Sequence, residues 1–268
     1  MARTLLTPME PAAFRWFNKA GRTPLLFVCD HASRRIPQAL GTLGLEDTEL
    51  ARHIGWDIGA AAVTESLATT FDAPAILTGY SRLVVDCNRS IQDADSIPEV
   101  SDGTRVPGNI DLSALDRQQR VFTLFEPYHT AIDQALTTSL ARDEIPTFIS
   151  VHSCTPVMAG RNRPWHIGVL SNRDLRIAAP LIESLAAEDG LVIGDNEPYS
   201  GKSEAGYTIR AHAEKRGLPH VMLEIRQDLI ADAPGVHHWA RVIERALRQV
   251  LSRCLMTIAH PPDKGVLR

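Results

Sequence analysis

"PLLFVCDHASRRIP" occupies residues 24–37. A proline opens it and a short apolar run follows. The chain then turns polar at Asp30-His31 and leaves through Ile36-Pro37. A continuous apolar run bounded by turn formers is the pattern of a strand covered on both faces by helices. The stretch also places an Asp, a His, a Ser and two Args within a few positions of the strand's end. In an open α/β sheet, ligands bind beyond the carboxyl ends of the strands. Whether these polar residues form a site depends on what other strands deliver to the same edge.

The same kind of run recurs along the chain. Strands are expected at "PLLFVC" (24–29), "PAILT" (74–78), "RLVVD" (82–86), "TFISVH" (147–152), "HIGVL" (166–170), "LVIG" (191–194) and "HVMLEI" (220–225). Helical patterns begin near Asp57, Leu112, Asp174, Tyr207 and Val236. Strands alternating with longer helical segments indicate an α/β layer fold. Asp111 is expected to cap the helix after it, and Gly217 to end "YTIRAHAEKR" as the residue just past its last turn. The final helix places Trp239, Val242, Ile243, Ala246, Leu247, Val250 and Leu251 on one face. The stretch 90–111 reads as a long irregular loop over one end of the sheet, and 257–268 as a fraying tail. The whole chain, 1–268, reads as a single domain.

A net charge of −4 argues against a general nucleic-acid binder, because phosphate backbones are held by clustered Lys and Arg. Most cationic residues are Arg, several beside Asp, Asn or His, a pattern suited to gripping carboxylates. The four cysteines are widely spaced with no C-x-x-C pair, which argues against a thiolate zinc site and for free thiols in a reducing cytoplasm. The N-terminus lacks a signal-peptide core, and no window approaches the roughly 20 apolar residues of a membrane span. A cytoplasmic protein without membrane or nucleic-acid partners is expected.

Polar groups gather where the apolar runs stop. The first ends in Asp30-His31, and "RLVVD" ends in Asp86 before Asn88-Arg89. "TFISV" leads to His152-Ser153-Cys154, and "HVML" delivers Glu224 with Arg226, Gln227 and Asp228 behind it. Each has a plainer explanation: a hydrogen-bonded histidine for His31 or His152, a helix cap for Asp57. Glu224 is harder to explain so, because an unpaired carboxylate on a buried strand costs several kcal/mol. Two neutral imidazoles and a carboxylate, with one position open, make a catalytic zinc site. A further carboxylate off the metal then serves as general base. His31, His152 and either Asp57 or another acid can supply the ligands, with Glu224 as base and Asp30 orienting the ring of His31. Ser33, Arg34 and Arg35 would line or brace the cleft. Cys154 reads as a buried thiol, and His237-His238 as solvated or capping. Glu197 and Tyr199 are equally suited to the cleft and to a plain loop. His53, His166 and His212 are treated as structural.

These residues resemble the N-formylglutamate amidohydrolase family. The matching segments are "DHASRRIP" (30–37), "GWDIGAAAV" (55–63), "YSRLVVDCNR" (80–89), "VHSCTP" (151–156), "GDNEPYSG" (194–201) and "GYTIRAHAEKRGLPHVMLEIRQDLI" (206–230). Where members acting in histidine breakdown tend to read "PHSG", this chain reads "DHAS", placing it in a broader branch. The resemblance implies a three-layer α/β/α sandwich around a mixed, mostly parallel sheet, related to zinc-dependent exopeptidases. It also implies metal-assisted hydrolysis of the amide bond of a small N-acyl amino acid, as in N-formyl-L-glutamate to formate and glutamate. It puts His31 and His152 at the family's motif histidines and Asp57 at its "D-x-G" acid. Arg82 falls in "Y-x-R", Asn88 and Arg89 in "D-x-N-R", and Glu224 and Arg226 in "E-x-R-Q". The resulting expectation is a divalent ion, zinc, held by His31, Asp57 and His152, with Glu224 as the base. Arg82, Asn88, Arg89 and Arg226 would bind a small acidic substrate, in a monomer or small homo-oligomer. The rival reading is a binding or regulatory module that keeps the fold and the carboxylate-gripping arginines without catalysis.

Overall fold

The structure, a computed structural model, describes residues 4–202 and 206–259, with the side chains of the last helix through 252. Seven strands form the central sheet: β1 (Phe14–Phe17), β2 (Leu25–Cys29), β3 (Ala75–Thr78), β4 (Thr147–Cys154), β5 (Ile167–Leu170), β6 (Ile193–Asp195) and β7 (His220–Arg226). Their spatial order is β1-β3-β2-β4-β7-β5-β6. The pairings β3–β2, β2–β4, β4–β7 and β5–β6 are parallel, while β1–β3 and β7–β5 are antiparallel. The sheet is mixed and mostly parallel, as expected.

Strand alternation divides the core in two. Leu25, Phe27, Ile149, Val151, Val221 and Leu223 face α1 (Ala60–Thr70) and the helices Ala178–Ala186 and Ala233–Ala259. Leu26, Val28, Phe148 and Met222 face the other way, onto the long helix that includes Glu126–Leu140. With helices on both faces, the architecture is the α/β/α sandwich. Trp239, Val242, Ile243, Ala246, Leu247 and Val250 form the buried stripe of the last helix, with Leu251 packed against it. Among the described residues no helix is long and apolar enough to cross a membrane.

Several local expectations are corrected. "RLVVD" is apolar and buried, yet it forms successive turns rather than a strand. Ser81 Oγ accepts from Leu83 N–H at 3.2 Å, Val84 N–H reaches Ser81 O at 3.0 Å, and Arg82 pairs with Asp86 at 2.8 Å. The local ion pair and the serine turn close the segment on itself, and burial alone does not distinguish that from a strand. Asp111 is not the cap of the next helix: it adopts a left-handed φ of 52°, and Ser113 Oγ accepts from Asp116 N–H instead. The helix expected near Asp174 starts at Ala178, and the strand at 191–194 is confined to 193–195. Gly217 does end its helical segment in the left-handed conformation. The tail expected at 257–268 continues the helix to Ala259, and 260–268 lie outside the described residues.

The 90–111 stretch is not structureless. It holds a hairpin of Val100–Ser101 with Thr104–Arg105 and short 3-10 turns at Ala94–Ser96 and Pro107–Asn109. Arg120, buried in the helix Ala114–Arg120, fastens it by donating to Asn109 Oδ1 (2.6 Å), Gly108 O (2.9 Å) and Val84 O (3.2 Å). Removing a buried donor strands its acceptors at about 1–3 kcal/mol each. Arg120→Met is therefore expected to lower stability by about 2–4 kcal/mol in urea unfolding, with a smaller loss showing that the loop is held elsewhere.

Candidate active site

The site lies beyond the carboxyl ends of β2, β4 and β7. On β4, Phe148, Ser150 and His152 share a face; on β7, His220, Met222 and Glu224 do. Glu224 pairs directly with His152 across the parallel ladder, so imidazole and carboxylate stand side by side. His31 follows the end of β2, and its carbonyl accepts from Asp57 N–H at 2.9 Å, which draws the loop before α1 to the same edge. Gly59 makes that approach possible. Its φ is +79°, and a Cβ there would lie 2.1 Å from Ile230 O.

Three expected ligands converge. His31 Nδ1 lies 3.2 Å and His152 Nδ1 2.8 Å from the same oxygen, Oδ2 of Asp57. The ligand atoms of all three side chains fall within 4.8 Å of one another, and all three residues are buried. The opposite ring nitrogens are occupied: His31 Nε2 contacts Asp86 Oδ1 at 2.7 Å, and His152 Nε2 contacts Asp30 Oδ2 at 3.0 Å. A carboxylate behind each ring fixes the tautomer and leaves Nδ1 for a metal, the usual outer support of metal-bound histidine. The residues fit a divalent ion.

Asp30 does not orient His31, as the sequence reading had it. It shares the face of Ser150 and His152, where it receives Tyr128 Oη–H and Thr208 Oγ–H (both 2.8 Å) and Ser150 Oγ–H (3.2 Å). Asp86 orients His31 instead, on the turn that the sequence reading took for a strand.

The other expected residues are spread differently. The cleft holds about 370 Å³, and its wall includes Arg82, Asn88, Arg89 and Glu224 besides the three convergent residues. Arg82 is committed to Asp86 (2.8 Å) and Asp57 (3.5 Å), bracing the cluster. Asn88 accepts from Thr208 N–H at 3.1 Å and lies 3.5 Å from His152 Nε2. Arg89 lines the cleft half-buried, with no side-chain ion pair among the described residues. Arg226 is not brought to the wall; it pairs with Asp228 at 2.9 Å. Arg34 is turned toward Asp47 at 3.5 Å. Tyr199 lines the cleft under the Arg163 guanidinium, 4.7 Å from its ring centre, whereas Glu197 does not line it. The sequence reading missed Arg210 and underrated His53, both on the wall; His53 faces Asp102 of the hairpin at 3.6 Å. Cys154 also lines it, but burial pushes its thiol far above the ordinary range, which disfavours the thiolate. His166 accepts from Val192 N–H, His212 packs on His129, and His237-His238 are exposed.

The sequence profile of the N-formylglutamate amidohydrolase family matches residues 23–231. Among solved structures, the gene product Atu2144 of Agrobacterium tumefaciens is 35% identical, with a TM-score of 0.90 over 93% of this chain and 98% of that one. The N-formylglutamate amidohydrolase of Ralstonia eutropha JMP134 is 17% identical, with a TM-score of 0.69 over 90% of this chain and 98% of that one, a likeness of fold. No protein with a curated description matches the chain.

The cluster's charges determine its behaviour with pH. Burial raises the carboxyls of Asp57 and Asp86, but His31 and His152 around the first, and Arg82 and His31 around the second, more than reverse it. Asp30 falls to about 2 despite its burial, chiefly through His152. Burial and Arg82 lower His31, yet Asp86 and Asp57 carry it above its ordinary value; the hydrogen bonds that His152 donates to Asp30 and Asp57 carry it further. Burial lifts Glu224 to about 7. Without metal, then, the cluster with Glu224 binds more protons folded than unfolded from about pH 4.5 upward, but burial holds His129 and His212 down at about 4, so the folded protein as a whole does so only from about pH 7 upward. The imidazolium contribution is complete below about pH 6.5 and lost as pH rises through the raised values. That of the three Asp carboxylates is present above about pH 4 and lost as pH falls through their lowered values. In chelator, the thermal midpoint is expected to fall steadily from about pH 7 to about pH 9, above the range in which His129 and His212 lose their protons in the unfolded chain; a midpoint that holds or rises there would contradict this charge assignment.

Proposed function

The chain belongs to the N-formylglutamate amidohydrolase family, an amide hydrolase family, and from that premise we propose a metal-dependent hydrolase of small N-acyl amino acids. The carrying observation is the convergence of His31 Nδ1 and His152 Nδ1 on one Asp57 oxygen, with each ring's far nitrogen held by its own carboxylate. His31, Asp57 and His152 hold the ion, which we take to be zinc. The chemistry such an ion would supply is Lewis-acid activation of the acyl group and of water, whose pKa it would lower toward about 7. Glu224 removes the proton of the attacking water and returns it to the leaving nitrogen. Its Oε2 is buried without a hydrogen-bond partner, and its carboxyl lies near neutral pH, where acceptance and return are both accessible.

Arg89 is the guanidinium best placed to receive a substrate carboxylate, since it lines the cleft without an ion pair among the described residues. A guanidinium fork binds a carboxylate through paired hydrogen bonds. Arg82 acts by holding Asp57 and Asp86, and Asn88 by fixing the turn beside His152. Arg226, expected from the sequence to bind substrate, is paired with Asp228 away from the wall, and we give it no substrate contact. A buried base beside two supported imidazoles has no use in a pure binding module.

Loading zinc into chelated protein below about pH 7 is expected to release about two protons, measured by calorimetry in buffers of different ionisation enthalpy. Failure to bind zinc would remove the centre of the reading. Glu224→Gln is expected to lower kcat on N-formyl or N-acetyl amino acids by roughly 10²–10⁴-fold while metal content stays at the wild-type level. Full turnover in that variant would end its role as base. Arg89→Ala is expected to raise KM about tenfold or more with kcat nearly unchanged, which steady-state kinetics would check.

A further inference from the structure

His220, Met222 and Glu224 share one face of β7, and all three line the cleft. At about 3.3 Å per residue the cleft follows the strand for roughly 13 Å, from Glu224 beside the cluster back to His220 at the strand's start. Met222, Leu170 and Ile209 make its middle apolar. Its far end is polar again. His220 is 1% exposed, and its Nδ1 lies 2.8 Å from Leu218 O. A carbonyl only accepts, so Nδ1 donates to it, and in that tautomer Nε2 presents a lone pair. Nε2 has no hydrogen-bond partner, and the charged atom facing it is another acceptor, Glu214 Oε1, at 3.8 Å. Asp174 Oδ2 stands 3.8 Å from Nδ1 on the other side of the ring. Arg210, Ser171 and Asn172 also line the cleft, so the wall is not a simple anionic trap. What distinguishes this end, among the described residues, is a buried imidazole nitrogen without a hydrogen-bond partner standing 3.8 Å from a carboxylate oxygen.

We propose that the cleft has a distal subsite, formed by His220 and Glu214, that takes an N–H donor at the end of an aliphatic segment. The favoured substrate is then an N-acyl amino acid whose long side chain ends in an ammonium or carboxamide. A terminal carboxylate would bring a third acceptor against the lone pair of His220 and the carboxylate of Glu214, which desolvation makes costly. An aliphatic chain such as the four-carbon stem of lysine matches the apolar middle formed by Leu170, Ile209 and Met222. The proposal deepens the hydrolase reading and rests on it.

The test uses the zinc-loaded protein and compares kcat/KM for the N-formyl derivatives of L-lysine, L-glutamine, L-norleucine and L-glutamate. The lysine or glutamine derivative is expected to exceed norleucine by about tenfold or more, and Glu214→Ala to shrink that preference below about threefold, chiefly through KM. Glutamate as the best substrate, or a preference indifferent to Glu214→Ala, would overturn the distal subsite and leave the hydrolase standing. Turnover of none of the panel would overturn the hydrolase reading instead. The subsite is then decided by calorimetric titration with 6-aminohexanoate, where binding weakened by Glu214→Ala supports it and binding absent or unaffected overturns it.

Discussion

Three buried carboxylates, Asp30, Asp57 and Asp86, meet one guanidinium, Arg82, at the end of the sheet. That leaves two negative charges which a low-dielectric interior does not tolerate uncompensated. Two imidazolium protons supply the balance, and so does one divalent ion bound between neutral imidazoles. The two solutions carry the same charge and use the same Nδ1 atoms. On the proposed reading the cluster would exchange protons for a cation with little change in the field around it, the supporting carboxylates keeping their partners in either state.

This constraint reaches beyond the cluster. Asp30 accepts from Tyr128 on the long helix, Thr208 at the start of another helical segment and Ser150 on β4. One carboxylate thereby joins the sheet to elements on its second face, and it does so directly behind His152. Asp86 joins the turn at 82–89 to His31, and Arg120 ties the backbone of that turn to the 90–111 segment. Long connections that pure chain entropy would leave loose are fixed by charged hydrogen bonds, which are shorter and stronger than neutral ones.

Much of this was legible in the sequence because strand ends are legible. Continuous apolar runs located β2, β3, β4, β5 and β7, and the polar residues at the ends of β2, β4 and β7 pointed to His31, His152 and Glu224 as neighbours. The edge strand β1 was missed, since "FRWF" is short and only partly buried and carries no such run. "RLVVD" was misread because hydrophobicity reports burial and not backbone direction. The roles of Asp30 and Asp86 were displaced for a similar reason. Which ring a carboxylate supports depends on register between strands distant in sequence, and period-2 alternation places Asp30 with Ser150 and His152 only once β2 is known to lie beside β4. Arg226 stands two residues from Glu224, yet its guanidinium finds Asp228 before it finds the cleft.

The same alternation sets the shape of what the protein can bind. A strand that delivers Glu224 to the side of His152 must deliver Met222 and His220 to the same side, because side chains two apart cannot face differently without breaking the ladder. The long helix could have covered those two positions, as it covers Phe148 on the adjacent strand. Instead the segment Ile209–Ala213, widened into a π turn, stands over them, and Ile209 lines the space that remains. Such single-turn widenings occur frequently at functional sites. Here the widening coincides with an apolar channel that leads from a basic carboxylate to an unsatisfied imidazole nitrogen. An interior imidazole nitrogen without a partner is a standing cost of about 1–3 kcal/mol. A cleft that stopped at His31, Asp57 and His152 would have no reason to keep it.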